Sequence, residues 1–184
     1  MKKLKSIKDI PLDYIRSFVK IDSNSLSGLT WLPRKNKQWS SKFSNKAAGS
    51  KSSDKNGYKN WSLRFYYKEK MYNLRCSRVI FLLHHGYLTK GKCIDHIDNN
   101  SLNNKIENLR ECTNSQNSHN SKLSKTNTSG YKGVNWDKRS KKWKVAIIAN
   151  GKYHYFGLYV NLEDAIKVAI EARKKLHGDF GRDE

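Results

Sequence analysis

Residues 93–120 have the sequence CIDHIDNNSLNNKIENLRECTNSQNSHN, a segment dense in His, Asp and Asn. Thr113 and Gln116 stand at the spacing of a capping box, so a helix is predicted to begin there. The runs at 98–100 and 103–104 consist of Asp and Asn, which are typical of turns. The segment therefore predicts turns followed by a short helix, with polar side chains throughout.

Three side chains in this segment have the chemistry needed to hydrolyse a phosphodiester. The reaction needs a base that activates water and a cation that neutralises charge on the phosphate and the leaving oxygen. His96 is a candidate base because imidazole exchanges protons near neutral pH, and Asp95 and Asn117 offer hard oxygen atoms that suit Mg²⁺. Neighbours in a regular strand point to opposite faces, so a bend or bulge is needed for Asp95 and His96 to serve one site. By itself, a histidine beside an aspartate is more often structural than catalytic.

The order and spacing of three blocks add specificity to this interpretation. They resemble the motif of the HNH endonucleases, especially the phage and intron-encoded homing branch, in which the fold is a ββα-metal hairpin and helix. The matching blocks are Ile94-Asp95-His96-Ile97-Asp98, Glu107-Asn108-Leu109-Arg110 and Gln116-Asn117. Upstream, the segments SGLTWLPR, NKAAGS and SRVIFLLHHG are similar to the N-terminal part of the same branch.

The resemblance assigns a role to each residue by its position in the motif. It implies that His96 is the general base and that Asp95 and Asn117 bind Mg²⁺, for which Mn²⁺ should substitute. Asn108 joins His96 in the catalytic set by pinning the hairpin loop and so orienting the base. Asn117 stands where many members have His, and the homing branch tolerates Asn there. His119 does not share a helix face with Asn117 and is a candidate phosphate contact.

The C-terminal third has a different pattern. Residues 142–149 (KWKVAIIA) alternate, Asn150-Gly151 is a strong hairpin signal, and residues 153–158 supply the returning strand. Residues 161–177 have the apolar stripe of an amphipathic helix. These features predict a three-stranded antiparallel sheet packed on one helix.

Residues 129–180 resemble the plant Apetala-2/ethylene-responsive-factor (ERF) DNA-binding domain. The resemblance is carried by Tyr131-Lys132-Gly133-Val134, Lys142-Trp143, Phe156-Gly157, Glu163-Asp164-Ala165 and Leu176-His177-Gly178. It implies that one face of the sheet lies in the major groove of DNA. Base preference does not transfer, because the plant domains use several Arg where this chain has few.

Alternation assigns the two faces of this predicted sheet. Trp143, Val145 and Ile147 should pack on the helix, and their neighbours should face outward. Together with residues taken from matching strand positions, the predicted DNA contacts are Lys132, Asn135, Lys144, Ala146, Ile148, Tyr153 and Tyr155.

The remaining elements are predicted from periodicity and capping signals. Ser77 is the predicted N-cap of the helix predicted over 77–85, and Gly86 is the residue predicted to end it. The predicted elements are a helix over 12–21, a strand over 29–32, a loop with one short helix over 34–57, paired strands over 61–67 and 70–74, and a helix over 77–85.

Positive charge is the strongest global signal. Lys and Arg number 37 against 16 Asp and Glu, which gives a net charge of +21. Such an excess causes self-repulsion unless a polyanion neutralises it, which favours nucleic acid as the partner over an anionic membrane or no specific partner. Three widely separated cysteines argue against a structural zinc site or a disulfide framework. Without a transmembrane run or a signal peptide, we expect a cytoplasmic protein of phage or bacterial host context.

These observations predict an α+β protein with three parts: an HNH nuclease domain at 1–120 with a basic DNA-contacting N-terminal region, a linker at 121–128, and an Apetala-2/ERF-like domain at 129–180. The expected activity is site-specific or semi-specific cleavage of double-stranded DNA by a one-metal HNH mechanism, leaving 5′-phosphate and 3′-hydroxyl ends. A monomer is preferred, although a homodimer would permit two cuts. The alternatives are a non-catalytic DNA-binding regulator, an RNA-binding protein and an HNH restriction endonuclease.

Overall fold

The chain has a mixed α/β fold with antiparallel sheets and divides into two units, Met1–Glu111 and Cys112–Glu184. The computed structural model describes the following residues: 10–53, 57–120, 123–124 and 126–181. Within these ranges no helix combines the length and the apolar character needed to cross a bilayer.

The first unit begins with a short helix, α1 (Leu12–Arg16), followed by a hairpin of β1 (Val19–Ile21) and β2 (Leu29–Trp31). The predicted strand over 29–32 is confirmed. The predicted helix over 12–21 is wrong beyond Arg16, because the β-branched residues of β1 pair with β2, in the register Val19↔Trp31 to Ile21↔Leu29.

The basic stretch that follows contains one helix and one strand. Helix α2 (Lys37–Phe43) is the predicted short helix, and the side chain of Asn36 caps it by accepting a hydrogen bond from the backbone N–H of Trp39 at 2.9 Å. Strand β3 (Ser50–Ser53) was not predicted. All its residues are exposed, so it carries no alternation of apolar and polar side chains that would mark it as a strand.

Strand β3 is one edge of a three-stranded antiparallel meander with β4 (Lys59–Tyr67) and β5 (Lys70–Arg75) in the order β3-β4-β5. The predicted pairing of the last two strands is confirmed. Lys68 and Glu69 join them with φ values of 45° and 59°, the left-handed conformation that tight hairpin turns require.

Helix α3 (Cys76–His85) supplies the main apolar face of the first unit. Its predicted end is confirmed, since Gly86 terminates it with φ 79°. Its predicted N-cap is wrong: Arg75 holds that position, and Ser77 is buried within the first turn. Val79 and Ile80 of this helix lie in a core with residues from α1 and the sheets, including Ile15, Val19, Leu29, Leu63, Phe65, Tyr72 and Leu109.

The segment dense in His, Asp and Asn forms a separate hairpin. Strand β6 (Cys93–His96) pairs with β7 (Leu109–Cys112), and a turn of 3-10 helix at Ile106–Asn108 leads into β7. Leu109 is buried in the core of the first unit. One strand of the hairpin is thereby tied to that core.

The second unit begins with helix α4 (Asn114–His119). The predicted capping box is confirmed, because Thr113 accepts from the backbone N–H of Gln116 at 3.1 Å and the Gln116 side chain accepts from the N–H of Thr113 at 2.8 Å. Part of the predicted linker, residues 121–122 and 125, lies outside the described residues.

The rest of the second unit is a three-stranded antiparallel sheet beside one helix, as predicted. Its strands are β8 (Val134–Asp137), β9 (Lys142–Ala149) and β10 (Lys152–Tyr159), in the order β10-β9-β8, and α5 (Leu162–His177) follows. Asn150 and Gly151 form the predicted turn with φ values of 51° and 74°. The core contains Val134, Val145, Ala165 and Ala169, bordered by Tyr131, Trp143, Phe156 and Tyr159.

Candidate active site and nucleic-acid interface

Asp95 lies near the end of β6 and is only 5% exposed. Its Oδ2 accepts a hydrogen bond from Nε of Arg110 on the paired strand at 2.9 Å. The same two groups form an ion pair. Taking a carboxylate out of water is costly unless a cation or hydrogen-bond donors compensate. Arg110 therefore stabilises the buried negative charge at this position.

His96 is the last residue of β6, and its imidazole is half-buried. Its Nε2 lies 3.0 Å from Oδ1 of Asn104, a residue in the loop that joins the two strands. The adjacent side chains of Asp95 and His96 thus have different neighbours, Arg110 for one and Asn104 for the other.

Asn108 links both ends of the hairpin loop. Its side-chain oxygen accepts from the backbone N–H of Asp98 at 3.0 Å, and its amide donates to the Asp98 carboxylate at 2.9 Å and to the backbone oxygen of Asn103 at 2.8 Å. Its own backbone oxygen accepts from the N–H of Ile97 at 3.0 Å. With 8% of its surface exposed, Asn108 is placed to hold the loop next to His96 in one conformation.

Asp98 remains ionised within this loop. Partial burial acts to raise the pKa of the Asp98 carboxyl, but hydrogen bonds from Asn103, Asn100 and Asn108, with the nearby His96, lower it below its ordinary value. The loop is therefore organised around a carboxylate that accepts several hydrogen bonds.

Asn117 and His119 belong to α4 in the second unit. Asn117 is exposed, whereas His119 is half-buried and stacks on His177 of α5, with ring centroids 3.7 Å apart. Burial, Arg173 and Lys132 lower the pKa of His119. The two rings line a cavity of about 330 Å³ together with Lys132 and Arg173, so His119 lies in a cationic pocket.

The donor chemistry of the predicted cation ligands suits Mg²⁺. Asp95 provides carboxylate oxygen and Asn117 amide oxygen, and Mg²⁺ binds through one or two such groups together with waters and substrate phosphates. In the part of the chain that the structure describes, no three or more His, Cys, Asp or Glu residues are grouped so that they could hold a metal ion together. Burial also raises the pKa of the Cys76 thiol to about 12, which keeps this sulfur protonated. The residues fit a hard cation held by few protein ligands.

The sheet of the second unit has an exposed face that holds most of the predicted DNA contacts. Ile148, Tyr153 and Tyr155 are 64%, 61% and 56% exposed, and the register pairs Tyr153 with Ile148 and Tyr155 with Ala146. Asn135 pairs with Lys144 across the neighbouring strands. Directly paired residues lie on the same face of an antiparallel sheet, so these side chains form one surface.

The inward face also follows the predicted alternation. Val145 and Ile147 are 0% and 4% exposed, and Trp143 is half-buried against the core. Lys132, predicted as a DNA contact, precedes β8, and its ammonium lies 3.4 Å from the backbone oxygen of His119. Lys132 is thus placed beside the histidine pair.

Two residues at the hairpin received no role from the sequence. Arg110 lies inside one of the motif blocks. A buried carboxylate needs a cationic partner, and this requirement could have indicated Arg110 as the partner of Asp95. Asn104 belongs to a run interpreted only as a turn, whereas it is 5% exposed and contacts His96. Nothing local to the sequence distinguishes Asn104 from its neighbour Asn103.

Comparison with known proteins places this site in a family. A model described as HNH endonuclease matches residues 74–119, which include both strands of the hairpin and α4. Protein 3.8 of Escherichia phage T7 is 41% identical over 97 residues, covering 53% of this chain and 79% of the phage protein. An uncharacterized HNH endonuclease of Acanthamoeba polyphaga mimivirus is 32% identical over 108 residues, covering 58% of this chain and 55% of the viral protein. No solved structure matches the chain significantly.

The matched segment contains the four residues on which the motif depends: Asp95, His96, Asn108 and Asn117. The phage relative extends the likeness over most of its own length. Residues 74–119 therefore form an HNH endonuclease domain, and the chain belongs to the same family as protein 3.8 of Escherichia phage T7.

Proposed function

We propose that the protein is a Mg²⁺-dependent endonuclease of phage or homing type that cleaves double-stranded DNA at specific or semi-specific sites. One observation carries the proposal: the family-matched segment folds as a hairpin in which the loop beside His96 is held by Asn108 and the neighbouring Asp95 is buried. A nuclease needs a positioned base next to an anionic ligand group, and this hairpin supplies both residue types.

His96 acts as the general base in this proposal. It accepts a proton from water while the water oxygen attacks phosphorus in line with the leaving 3′ oxygen. The bond from phosphorus to that oxygen breaks, and the oxygen takes a proton from solvent. The products carry a 5′-phosphate and a 3′-hydroxyl, and the imidazolium returns its proton to solvent.

Asp95 and Asn117 are proposed as the protein ligands of one divalent cation. When bound, the cation supplies positive charge to the phosphate and to the leaving oxygen. The Asp95 carboxylate is buried and forms an ion pair with Arg110 on the paired strand. Asn108 contributes by fixing the loop rather than by touching substrate.

The second unit is proposed as an Apetala-2/ERF-like reader of DNA. A sheet face with exposed Ile148, Tyr153 and Tyr155 beside Lys144 and Asn135 offers both apolar groups and hydrogen-bond donors to base edges and phosphates. The excess of positive charge supports binding to the phosphate backbone.

Plasmid cleavage tests the proposed function. Purified full-length protein should convert supercoiled plasmid to nicked or linear forms with Mg²⁺ or Mn²⁺ and lose this activity in EDTA, and the new ends should accept ligation without kinase treatment. The variants His96→Ala, Asp95→Ala and Asn117→Ala should be inactive. His84→Ala, which removes an exposed imidazole of α3, is the matched control and should remain active. Intact plasmid and intact candidate-site DNA in all metals would overturn the proposal.

A non-catalytic DNA-binding regulator is the second candidate, and the ion pair between Asp95 and Arg110 favours it, because the arginine occupies an oxygen that a cation would use. Equal behaviour of wild type and His96→Ala in cleavage and binding assays would support this candidate. Mapping cleavage ends on a random-sequence library separates a homing or phage-type enzyme, with a long asymmetric target, from a restriction enzyme with a short symmetric one.

A further inference from the structure

A chain of two hydrogen bonds connects His96 to a distant turn of the first unit. Nε2 of His96 lies 3.0 Å from Oδ1 of Asn104, and Nδ2 of Asn104 donates to the backbone oxygen of Ser27 at 3.0 Å. Asn104 is 5% exposed and Ser27 is fully buried. The contact with Ser27 is therefore shielded from competing water, and the contact with His96 is partly shielded.

The chemistry of these groups determines the direction of both hydrogen bonds. A backbone carbonyl oxygen only accepts, so the atom of Asn104 that faces Ser27 must be the amide nitrogen. The other terminal atom of Asn104 is then its carbonyl oxygen, which also only accepts. Nε2 of His96 must consequently carry a hydrogen.

We propose that Asn104 is a positioning residue that holds His96 in the Nε2–H tautomer and so makes Nδ1 the nitrogen that accepts the proton of the attacking water. In a neutral imidazole only one ring nitrogen is protonated, and the hydrogen bond made by one nitrogen determines the state of the other. This inference rests on the proposed function, in which His96 is the general base.

The Asn104 side chain is itself held in place by packing. Ser27 precedes Gly28, whose φ is 78°, and a Cβ at Gly28 would lie 3.2 Å from Cβ of Asn104. The turn that leads into β2 thus lies directly against the catalytic hairpin. The orientation of the imidazole is thereby coupled, through Asn104, to Ser27, which lies 77 positions before Asn104 in the chain.

The tautomer is measurable in the wild-type full-length protein without any variant of Asn104. Long-range ¹H–¹⁵N correlation spectra distinguish Nε2–H from Nδ1–H, and comparison with His96→Asn assigns the signals. When the His96 imidazole is neutral, we expect it to be the Nε2–H tautomer. The Nδ1–H tautomer would overturn the proposal.

Two substitutions separate positioning from simple loop stability. Asn104→Leu removes the acceptor and should slow cleavage by about 10- to 100-fold, the usual cost of losing an orienting partner, with DNA binding unchanged. Asn104→Asp keeps an acceptor for Nε2–H but faces the Ser27 carbonyl with a second acceptor. It should therefore be less stable than the leucine variant and yet more active at a temperature where both are folded.

Asn103→Ala is the matched control. It removes a side-chain hydrogen bond of the same loop, from Asn103 to the Asp98 carboxylate at 2.7 Å, without touching His96. It should keep the Nε2–H tautomer and lose no more activity than its loss of stability explains. If cleavage activity follows stability, so that Asn104→Leu cleaves faster than Asn104→Asp, then Asn104 is only structural. If wild type and His96→Ala both fail to cleave, the proposed function fails, while the spectrum still tests the hydrogen-bond chain.

Discussion

Replacing Asn108 by alanine should destabilise the first unit and abolish cleavage together. The side chain makes three hydrogen bonds within the loop, at 2.8, 2.9 and 3.0 Å, and is almost fully buried. Each such bond contributes about 1 kcal/mol net, so Asn108→Ala should lower the free energy of unfolding by roughly 3 kcal/mol. Equilibrium unfolding in urea measures this change. The background should be a variant that keeps Trp31, Trp39 and Trp61 as its only tryptophans, because its fluorescence then reports the unfolding of the first unit alone.

With a urea dependence of about 2 kcal/mol per molar, this loss corresponds to a midpoint lower by roughly 1.5 M. Asn100→Ala provides the control, because Asn100 is exposed in the same loop and its side chain accepts one hydrogen bond, from the N–H of Leu102 at 3.1 Å. Its midpoint should change by less than half as much. Equal midpoints for Asn108→Ala and wild type would refute the argument that this residue holds the hairpin.

Two further predictions concern the second unit. Burial lowers the pKa of His177 below its ordinary value of 6.5, and the neighbouring His119 lowers it further. Just below pH 6.5 the unfolded chain therefore binds more protons than the folded chain. The contribution of His177 to stability is complete above about pH 6.5 and is lost as the pH falls from about 6.5 through the lowered pKa of the folded state. Thermal unfolding between pH 8 and 5 should show this loss in wild type and less of it in His177→Gln; identical profiles would contradict it. Tyr153→Ala and Tyr155→Ala alter exposed side chains of the sheet, so they should weaken DNA binding in titrations while the melting temperature stays within a few degrees, and unchanged affinity for both would remove this face from the interface.

Local signals predicted those parts of the fold whose structure depends on nearby residues. The capping box of Thr113 and Gln116 and the turn at Asn150-Gly151 involve partners within a few positions, so the sequence was sufficient. Strand β3 is stabilised by pairing with β4 rather than by its own polar residues, and it was missed for that reason. The helix predicted over 12–21 failed on the same ground, because pairing with β2 outweighs local spacing.

For the candidate site, the resemblance to the HNH motif predicted roles for Asp95, His96 and Asn108. It could not identify Asn104 as a neighbour of His96, because that contact depends on a buried partner in a remote turn, Ser27. Contacts of this kind arise from tertiary packing and leave no periodic pattern in the chain.

The central claim is that His96 removes a proton from water in the cleavage step. The most direct measurement is the single-turnover cleavage rate of His96→Ala relative to wild type, with saturating Mg²⁺ and enough enzyme to bind all the DNA. The account predicts a rate lower by about 10²- to 10⁴-fold, the usual contribution of a general base, with the same affinity for duplex DNA. An unchanged rate, or a loss fully explained by weaker binding, would contradict it.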